Sequence, residues 1–255
     1  MKSSRENILA GIQPVATALK VGAGKIRRLR VAEDSQNQRV KDLALMAGDA
    51  GIEVLYEPRD RLDELAGIDR HQDVMAELDD HALGESDLGA LLDEVEGDPL
   101  ILILDGVQDP HNLGACLRSA EAVGVHAVII PKDRSAGLTA VVRKTSAGAS
   151  EVVPVLQVTN LARVLRTLKE RGVWLAGTAD GADRDIFDSD LTGPLALVMG
   201  SEGQGLRRLT AELCDFLVRI PMAGVIESLN VSVATGVCLF EAQRQRMKAA
   251  AKLGS

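Results

Sequence analysis

Residues 100–104 read Leu-Ile-Leu-Ile-Leu, five apolar side chains without a break. A strand with one wet face alternates apolar with polar, so an unbroken run bounded by turn residues predicts a strand buried on both faces. Outward from it the same pattern recurs. Leu113–Val123 predicts a helix, Ala127–Ile130 a strand, Thr139–Ala147 a helix, Val152–Leu156 a strand and Asn160–Arg171 a helix closed by Gly172. Val173–Gly177, Leu195–Met199 and Phe216–Ile220 follow as strands, with a helix at Leu206–Leu213 and a long last helix at Leu229–Lys248. Strands alternating with helices predict an α/β fold with a parallel sheet covered on both faces.

The 76 residues at the N-terminus predict a smaller α/β unit. Helices are expected at Ile12–Leu19, Asn37–Ala50 (with Gly51 ending it) and Pro58–Leu65, and strands at Ile26–Val31 and Ile52–Tyr56. Strand 26–31 follows Lys25 and carries Arg27, Arg28 and Arg30. Such a run serves either as an edge that repels other strands or as a face that contacts phosphate.

The chain has 255 residues, 46% of them apolar and 2% aromatic, so its core must be aliphatic. The net charge of −8 argues against nucleic acid if taken as a sum. Its distribution weakens that argument: Glu77–Asp98 holds nine carboxylates and no Lys or Arg, more than the whole net charge. The segment is expected to be an acidic linker, 79–98, between a domain at 1–78 and another at 99–255. No apolar run reaches the roughly 20 residues of a membrane span, and the first residues lack a secretion signal, so a cytoplasmic location is expected. Cys116, Cys214 and Cys238 are widely spaced and surrounded by apolar residues, which predicts core cysteines; neither a disulfide nor a metal site is expected.

Ligands in parallel sheets bind at the loops beyond the strands' C-terminal ends. Three such stretches carry suggestive residues. Gly200-Ser201-Glu202-Gly203-Gln204-Gly205 is glycine-rich, but its G-x-x-G-x-G spacing is neither a dinucleotide fingerprint nor a P-loop. It is either a flexible turn or a backbone cradle with Glu202 fixing a polar group. Asn112 either caps a helix at Leu113 or belongs to a site. Arg118, read as sitting where Leu117 and Ala122 face inward, would then need an anionic partner such as phosphate. Ser228 and Asn230, at the mouth of the last helix, are either an N-cap pair or site residues. No G-x-S-x-G accompanies Ser228, which disfavours hydrolase chemistry. In the last helix Leu229, Val233, Val237 and Phe240 share one face, read as core or as a contact with a second copy.

DPHNLGACLRSAEAVG (109–124), LALVMGSEGQG (195–205) and IPMAGVIESLNVSVATG (220–236) resemble, in order and separation, the three signature motifs of the SpoU/TrmH class of SPOUT RNA 2′-O-methyltransferases. The resemblance covers roughly 100–246 and is greatest to the branch that methylates a guanosine ribose in bacterial 23S rRNA. ILAGIQPVATAL (8–19) and His71-Gln72 are similar to that family's ribosomal-protein-like RNA-binding domain, with Asp73 standing where a glycine is usual. The resemblance implies a C-terminal catalytic domain with a deep trefoil knot, S-adenosylmethionine as cofactor, 23S rRNA as substrate, taken before the ribosome is fully assembled, and a homodimer built on the final helix. It implies catalytic roles for Arg118, Asn112, Glu202, Ser228 and Asn230, and cofactor contacts at Thr178, Gly200, Ile220, Met222 and Leu229. RNA would meet Lys25, Arg27, Arg28, Arg134, Arg143 and Lys144. A tRNA ribose methyltransferase of the same superfamily and a non-catalytic ribosome-assembly factor are the rival expectations.

Overall fold

The computed structural model describes residues 8–22, 25–66, 71–79, 83–201, 203–226 and 228–253. The chain forms two compact units, one combining the part up to residue 81 with Gly137–Val152, the other holding 82–136 and the remainder from Val153.

The first unit is built on a four-stranded sheet. Its elements are β1 (Ile8–Ala10), α1 (Ile12–Gly22), β2 (Ile26–Ala32), α2 (Gln38–Asp49), β3 (Glu53–Glu57), α3 (Arg59–Ala66) and β4 (Val74–Leu78). The strand order is β1-β4-β2-β3, with β4 antiparallel to both neighbours and β3 parallel to β2. β1 and β4 were not expected, because they are short and almost wholly buried and so show no alternation. β2 lies inside the sheet, which rules out the edge-guarding role considered for its arginines. Leu29 and Val31 pack in the core, while Arg28 lies 3.4 Å from Glu53 and 3.3 Å from Glu77. Arg30 lies 2.7 Å from Glu57 and 2.8 Å from Glu77. Carboxylates on both neighbouring strands thus answer these two cations. Asn37 caps α2 by accepting the Arg39 N–H, and Gly51 follows the helix at φ +75°.

Asp73 adopts φ +66°, the left-handed conformation that glycine takes without strain. The fold holds it there: its carboxylate pairs with Arg59 and accepts the Ser35 hydroxyl at 2.9 Å, and its N–H donates to His71 Nδ1 at 3.1 Å.

The helix expected over Thr139–Ala147 is the shorter α6 (Ala140–Thr145), and an unexpected second helix, α7 (Ala149–Val152), follows it. They are separated by Ala147 and Gly148, both at positive φ. A Cβ at Gly148 would lie 2.6 Å from Thr17 Cβ, so α7 rests directly on α1. The next strand accordingly starts at Val155 and not Val152.

The second unit comprises α4 (Leu88–Asp93), β5 (Leu100–Asp105), α5 (Pro110–Val123), β6 (Ala127–Pro131), β7 (Val155–Val158), α8 (Leu161–Glu170), β8 (Trp174–Thr178), β9 (Arg184–Asp185), β10 (Leu195–Gly200), α9 (Arg208–Leu213), β11 (Phe216–Arg219) and α10 (Val231–Leu253). Its seven strands run in the order β7-β6-β5-β10-β8-β11-β9, every pair parallel. β5, β6 and β10 are buried at every position, as their unbroken apolar runs predict. The chain returns late to the sheet centre, inserting β10 between β5 and β8.

Residues 83–93 of the acidic segment lie against this unit. Leu88 is in the core, and Leu83 bridges to Leu156. The Glu85 carboxylate accepts the N–H groups of Thr159 and Asn160, at 2.8 Å each, and pairs with Arg163. Those amides, with the Arg163 guanidinium, hold the Glu85 carboxyl below its ordinary value.

Candidate active site

The loops after β8, β10 and β11 open at the C-terminal edge of the sheet. The loop after β10 doubles back on itself: Ser201 N–H donates to Gly205 C=O at 3.0 Å, and Gly205 N–H to Ser201 C=O at 2.9 Å. Only glycine fits at its start, because a Cβ on Gly200 would lie 2.2 Å from Gly205 C and 2.4 Å from Leu206 N. The close approach delays α9, expected from Leu206, until Arg208.

Beneath this loop lies a cavity of about 490 Å³, inside the range of about 300–1,000 Å³ usual for small-ligand sites. Thr178, Gly200, Ile220, Met222 and Leu229, the five expected cofactor residues, all line it, as does Ser228. Asp180 adds a carboxylate to the wall, and Met199, Leu206 and Val218 add apolar surface. A cationic, partly apolar ligand with a nucleoside half fits this lining: a carboxylate, apolar side chains, and strand-end and loop backbone open to hydrogen bonding. Arg219, paired with Asp185 at 2.7 Å, also borders the cavity. Val225 is fully exposed and Ile226 74% exposed in the loop that follows. The sequence marked that loop by Pro221 and Gly224 but gave no sign that apolar side chains would stand in solvent there.

Asn112 does not cap α5. Asp109 does, accepting the His111 N–H at 2.8 Å ahead of Pro110. Asn112 falls in the first turn, where its Oδ1 accepts from Asn230 Nδ2 at 3.0 Å. α10 begins at Val231, two residues later than expected, with Asn230 Oδ1 accepting the Ser232 N–H at 2.9 Å and its hydroxyl at 2.6 Å. Asn230 therefore both caps α10 and joins it to α5. Further along, Cys116 Sγ and Thr235 Oγ1 lie 3.5 Å apart.

Arg118 is exposed, and so is Ala122. The premise that burial would force an anionic partner on Arg118 therefore fails. Leu113, Cys116, Leu117 and Ala120 form the buried stripe of α5, and a residue next to Leu117 in sequence is turned about 100° from it. Arg118 does not line the cavity, and among the described residues no carboxylate pairs with it. Glu202 lies outside the described residues.

The six expected RNA contacts are spread over both units. Lys25 and Arg27 are exposed, the latter where the β2–β4 register shifts; Arg134 is exposed; Lys144 is half-buried. Arg28 is tied up between carboxylates. Arg143 is 8% exposed and paired with Glu151, which takes it off the surface. Burial pushes the Cys214 and Cys238 thiols up to about 12; Cys116 and Cys238 are core cysteines as expected, whereas Cys214 is only partly buried at the core's edge. On α10 the buried stripe holds Val231, Cys238, Leu239 and Ala242, while Val233 and Phe240 are each 51% exposed, so the face they share is not core.

Comparison with known proteins matches residues 99–240 to the SpoU rRNA methylase family and residues 8–82 to the domain described as RNA 2′-O ribose methyltransferase substrate binding. The 23S rRNA (guanosine-2′-O-)-methyltransferase RlmB of Ralstonia nicotianae is 52% identical over 98% of this chain and 100% of its own. RlmB of Pseudomonas aeruginosa is 53% identical over 92% of this chain and 95% of its own. Among solved structures, the SpoU methyltransferase AviRb of Streptomyces viridochromogenes in complex with AdoMet superposes with a TM-score of 0.82 at 28% identity, covering 94% of this chain and 90% of the other. With both of its units matched and with relatives sharing half its residues end to end, this chain belongs to the SpoU rRNA methylase family.

Proposed function

We propose that this protein transfers a methyl group from S-adenosylmethionine to the 2′-hydroxyl of a guanosine ribose in 23S rRNA. The observation that carries the reading is the convergence of three distant stretches at one sheet edge: the Gly200 loop with Ile220, Met222, Ser228 and Leu229 lines the cavity, and Asn230 is bonded to Asn112 beside it. The near-complete coverage of relatives that bear this activity in their names supports the substrate.

The cofactor, when bound, supplies a methyl group on a positively charged sulfur, open to in-line attack by oxygen. This chain's part is positioning. Backbone groups of Thr178, Gly200, Ile220 and Leu229 would hold the cofactor, with Met222 on the same cavity wall. A guanidinium is charged throughout the working range of an enzyme, so Arg118 acts as a cation and not as a base. Its guanidinium would bind an RNA phosphate bidentately and polarise the attacking hydroxyl; as the O–CH3 bond forms and the S–CH3 bond breaks, S-adenosylhomocysteine leaves and the hydroxyl proton passes to water. Asn112, Glu202, Ser228 and Asn230 orient the ribose and Arg118.

The N-terminal unit is the substrate-binding part, gripping RNA through Lys25 and Arg27, with Arg134 and Lys144 adding contacts. The enzyme works as a cytoplasmic homodimer. Val233, Phe240 and Met247 support this, standing exposed at seven-residue intervals on α10 as an apolar stripe for a second copy. The insertion of β10 between β5 and β8 is consistent with the trefoil knot.

Titration calorimetry with S-adenosylmethionine, followed by mass spectrometry of nucleosides from bare 23S rRNA and from tRNA after incubation, tests the whole reading. Cofactor binding and 2′-O-methylguanosine in the 23S rRNA alone are expected. Methylation of tRNA alone moves the protein to the tRNA branch, and no cofactor binding refutes catalysis.

A further inference from the structure

We propose that Asp105 is a positioning residue that holds the glycine loop in the shape the cofactor needs, an inference resting on the reading of that cavity as the S-adenosylmethionine site. Asp105 ends β5 and is 1% exposed. Every other residue of that strand is aliphatic, and an enclosed carboxylate costs stability unless something binds it. Its Oδ2 accepts the backbone N–H of Arg207 at 3.2 Å. Its Oδ1 lies 3.3 Å from Arg207 Nε but has no hydrogen-bond partner among the described residues.

The position of the carboxylate explains its presence. In the β5–β10 ladder Asp105 is the register partner of Gly200, the residue where the loop leaves the sheet. Arg207 is the residue by which the loop has returned. Asp105 therefore flanks the departure and grips the return of a single turn. Between these points the loop contains Gly203 at φ +75° and Gly205 at φ +64°, and among the described residues its own closure is the Ser201–Gly205 backbone pair. Glycine-rich chain loses the most entropy on ordering, so an anchor outside the loop is what makes its shape persist. The guanidinium of Arg207 completes the clamp: a Cβ on Gly106 would lie 3.5 Å from its Nη2 and 3.7 Å from Ser201 Cβ. Gly200, Ser201, Gly203, Gln204, Gly205 and Leu206 of the loop so held form one wall of the cofactor cavity.

The test compares wild type, Asp105→Ala and Asp105→Asn in the full chain. Calorimetry measures S-adenosylmethionine affinity; hydrogen exchange of the cofactor-free proteins reports the Ser201 and Gly205 amides; kinetics separates KM for cofactor from KM for RNA. Loss of a hydrogen bond to a charged acceptor is worth about tenfold or more. Asp105→Ala should weaken cofactor binding by about tenfold and speed exchange at Ser201 and Gly205, leaving KM for RNA unchanged. Asp105→Asn keeps an acceptor for the Arg207 N–H and should fall between. Should Asp105→Ala fail to fold, Asp105→Asn decides alone. Unchanged cofactor affinity and loop exchange in a folded variant overturn the proposal, as does a loss of active protein with every KM unchanged. If wild type itself fails to bind S-adenosylmethionine, the underlying reading falls, and the proposal with it.

Discussion

Asn230 Nδ2 donates to Asn112 Oδ1 at 3.0 Å, joining the starts of two helices 118 residues apart in sequence. The same Asn230 caps α10 through Ser232. Asn230→Ala removes the α10 cap together with the link to Asn112, whereas Asn112→Ala leaves the cap in place. Loss of a cap costs about 1 kcal/mol, so Asn230→Ala should melt lower than Asn112→Ala. In single-turnover methylation at saturating cofactor and RNA, the double variant should be no slower than the slower single one. Independent, multiplying losses would mean that the two asparagines do not act as a unit.

Arg118→Ala should abolish methyl transfer while S-adenosylmethionine affinity and melting temperature stay at wild-type values. The side chain is exposed and outside the cavity, so its removal disturbs neither the core nor the cofactor walls. Arg118→Lys keeps the charge but loses the bidentate fork, and partial activity is expected. Wild-type turnover in Arg118→Ala would remove it from the mechanism.

The sheet of the second unit was legible because β5, β6 and β10 announce burial on both faces by unbroken apolar runs. β1 and β9 were not, since three and two residues are too few to show a period. The five expected cofactor contacts came from motif resemblance, and all five line one cavity. The outward turn of Arg118 was readable from the phase of Leu113, Cys116, Leu117 and Ala120, and was misread by taking Ala122 as inward. The enclosed state of Arg28, Arg30 and Arg143 was not readable, because each depends on carboxylates supplied by other elements.

Two glycines of one loop should respond differently to alanine. Gly203 is at φ +75° with nothing near its missing Cβ, so Gly203→Ala should cost only the left-handed backbone penalty, about 1–2 kcal/mol. Gly200→Ala would drive a methyl into the Gly205–Leu206 backbone at 2.2 Å, and the loop must open. Denaturant unfolding with calorimetry should show modest destabilisation with cofactor binding retained for Gly203→Ala. For Gly200→Ala, binding should be lost. Equal cofactor affinity in the two variants would mean that the close approach is not needed.

Glu85 fastens the acidic segment to α8, and its effect should be visible in pH dependence. Two backbone amides and Arg163 favour its ionised form in the folded protein, so its carboxyl is held below the ordinary value, which is about 4.3 in an unfolded chain. A carboxyl with a depressed folded value contributes stability that is fully present above the unfolded value and is lost as pH falls through the folded one. Glu85→Gln cannot ionise and lacks that contribution. Wild type should therefore be more stable than Glu85→Gln at neutral pH, with the gap closing on acidification below about pH 4. High salt should narrow the gap only in part, because screening acts on the exposed Arg163 pair more than on hydrogen bonds to the Thr159 and Asn160 amides. Urea unfolding of both proteins across the acid range measures it. A gap independent of pH would show that packing, and not the carboxylate's charge, holds the segment in place.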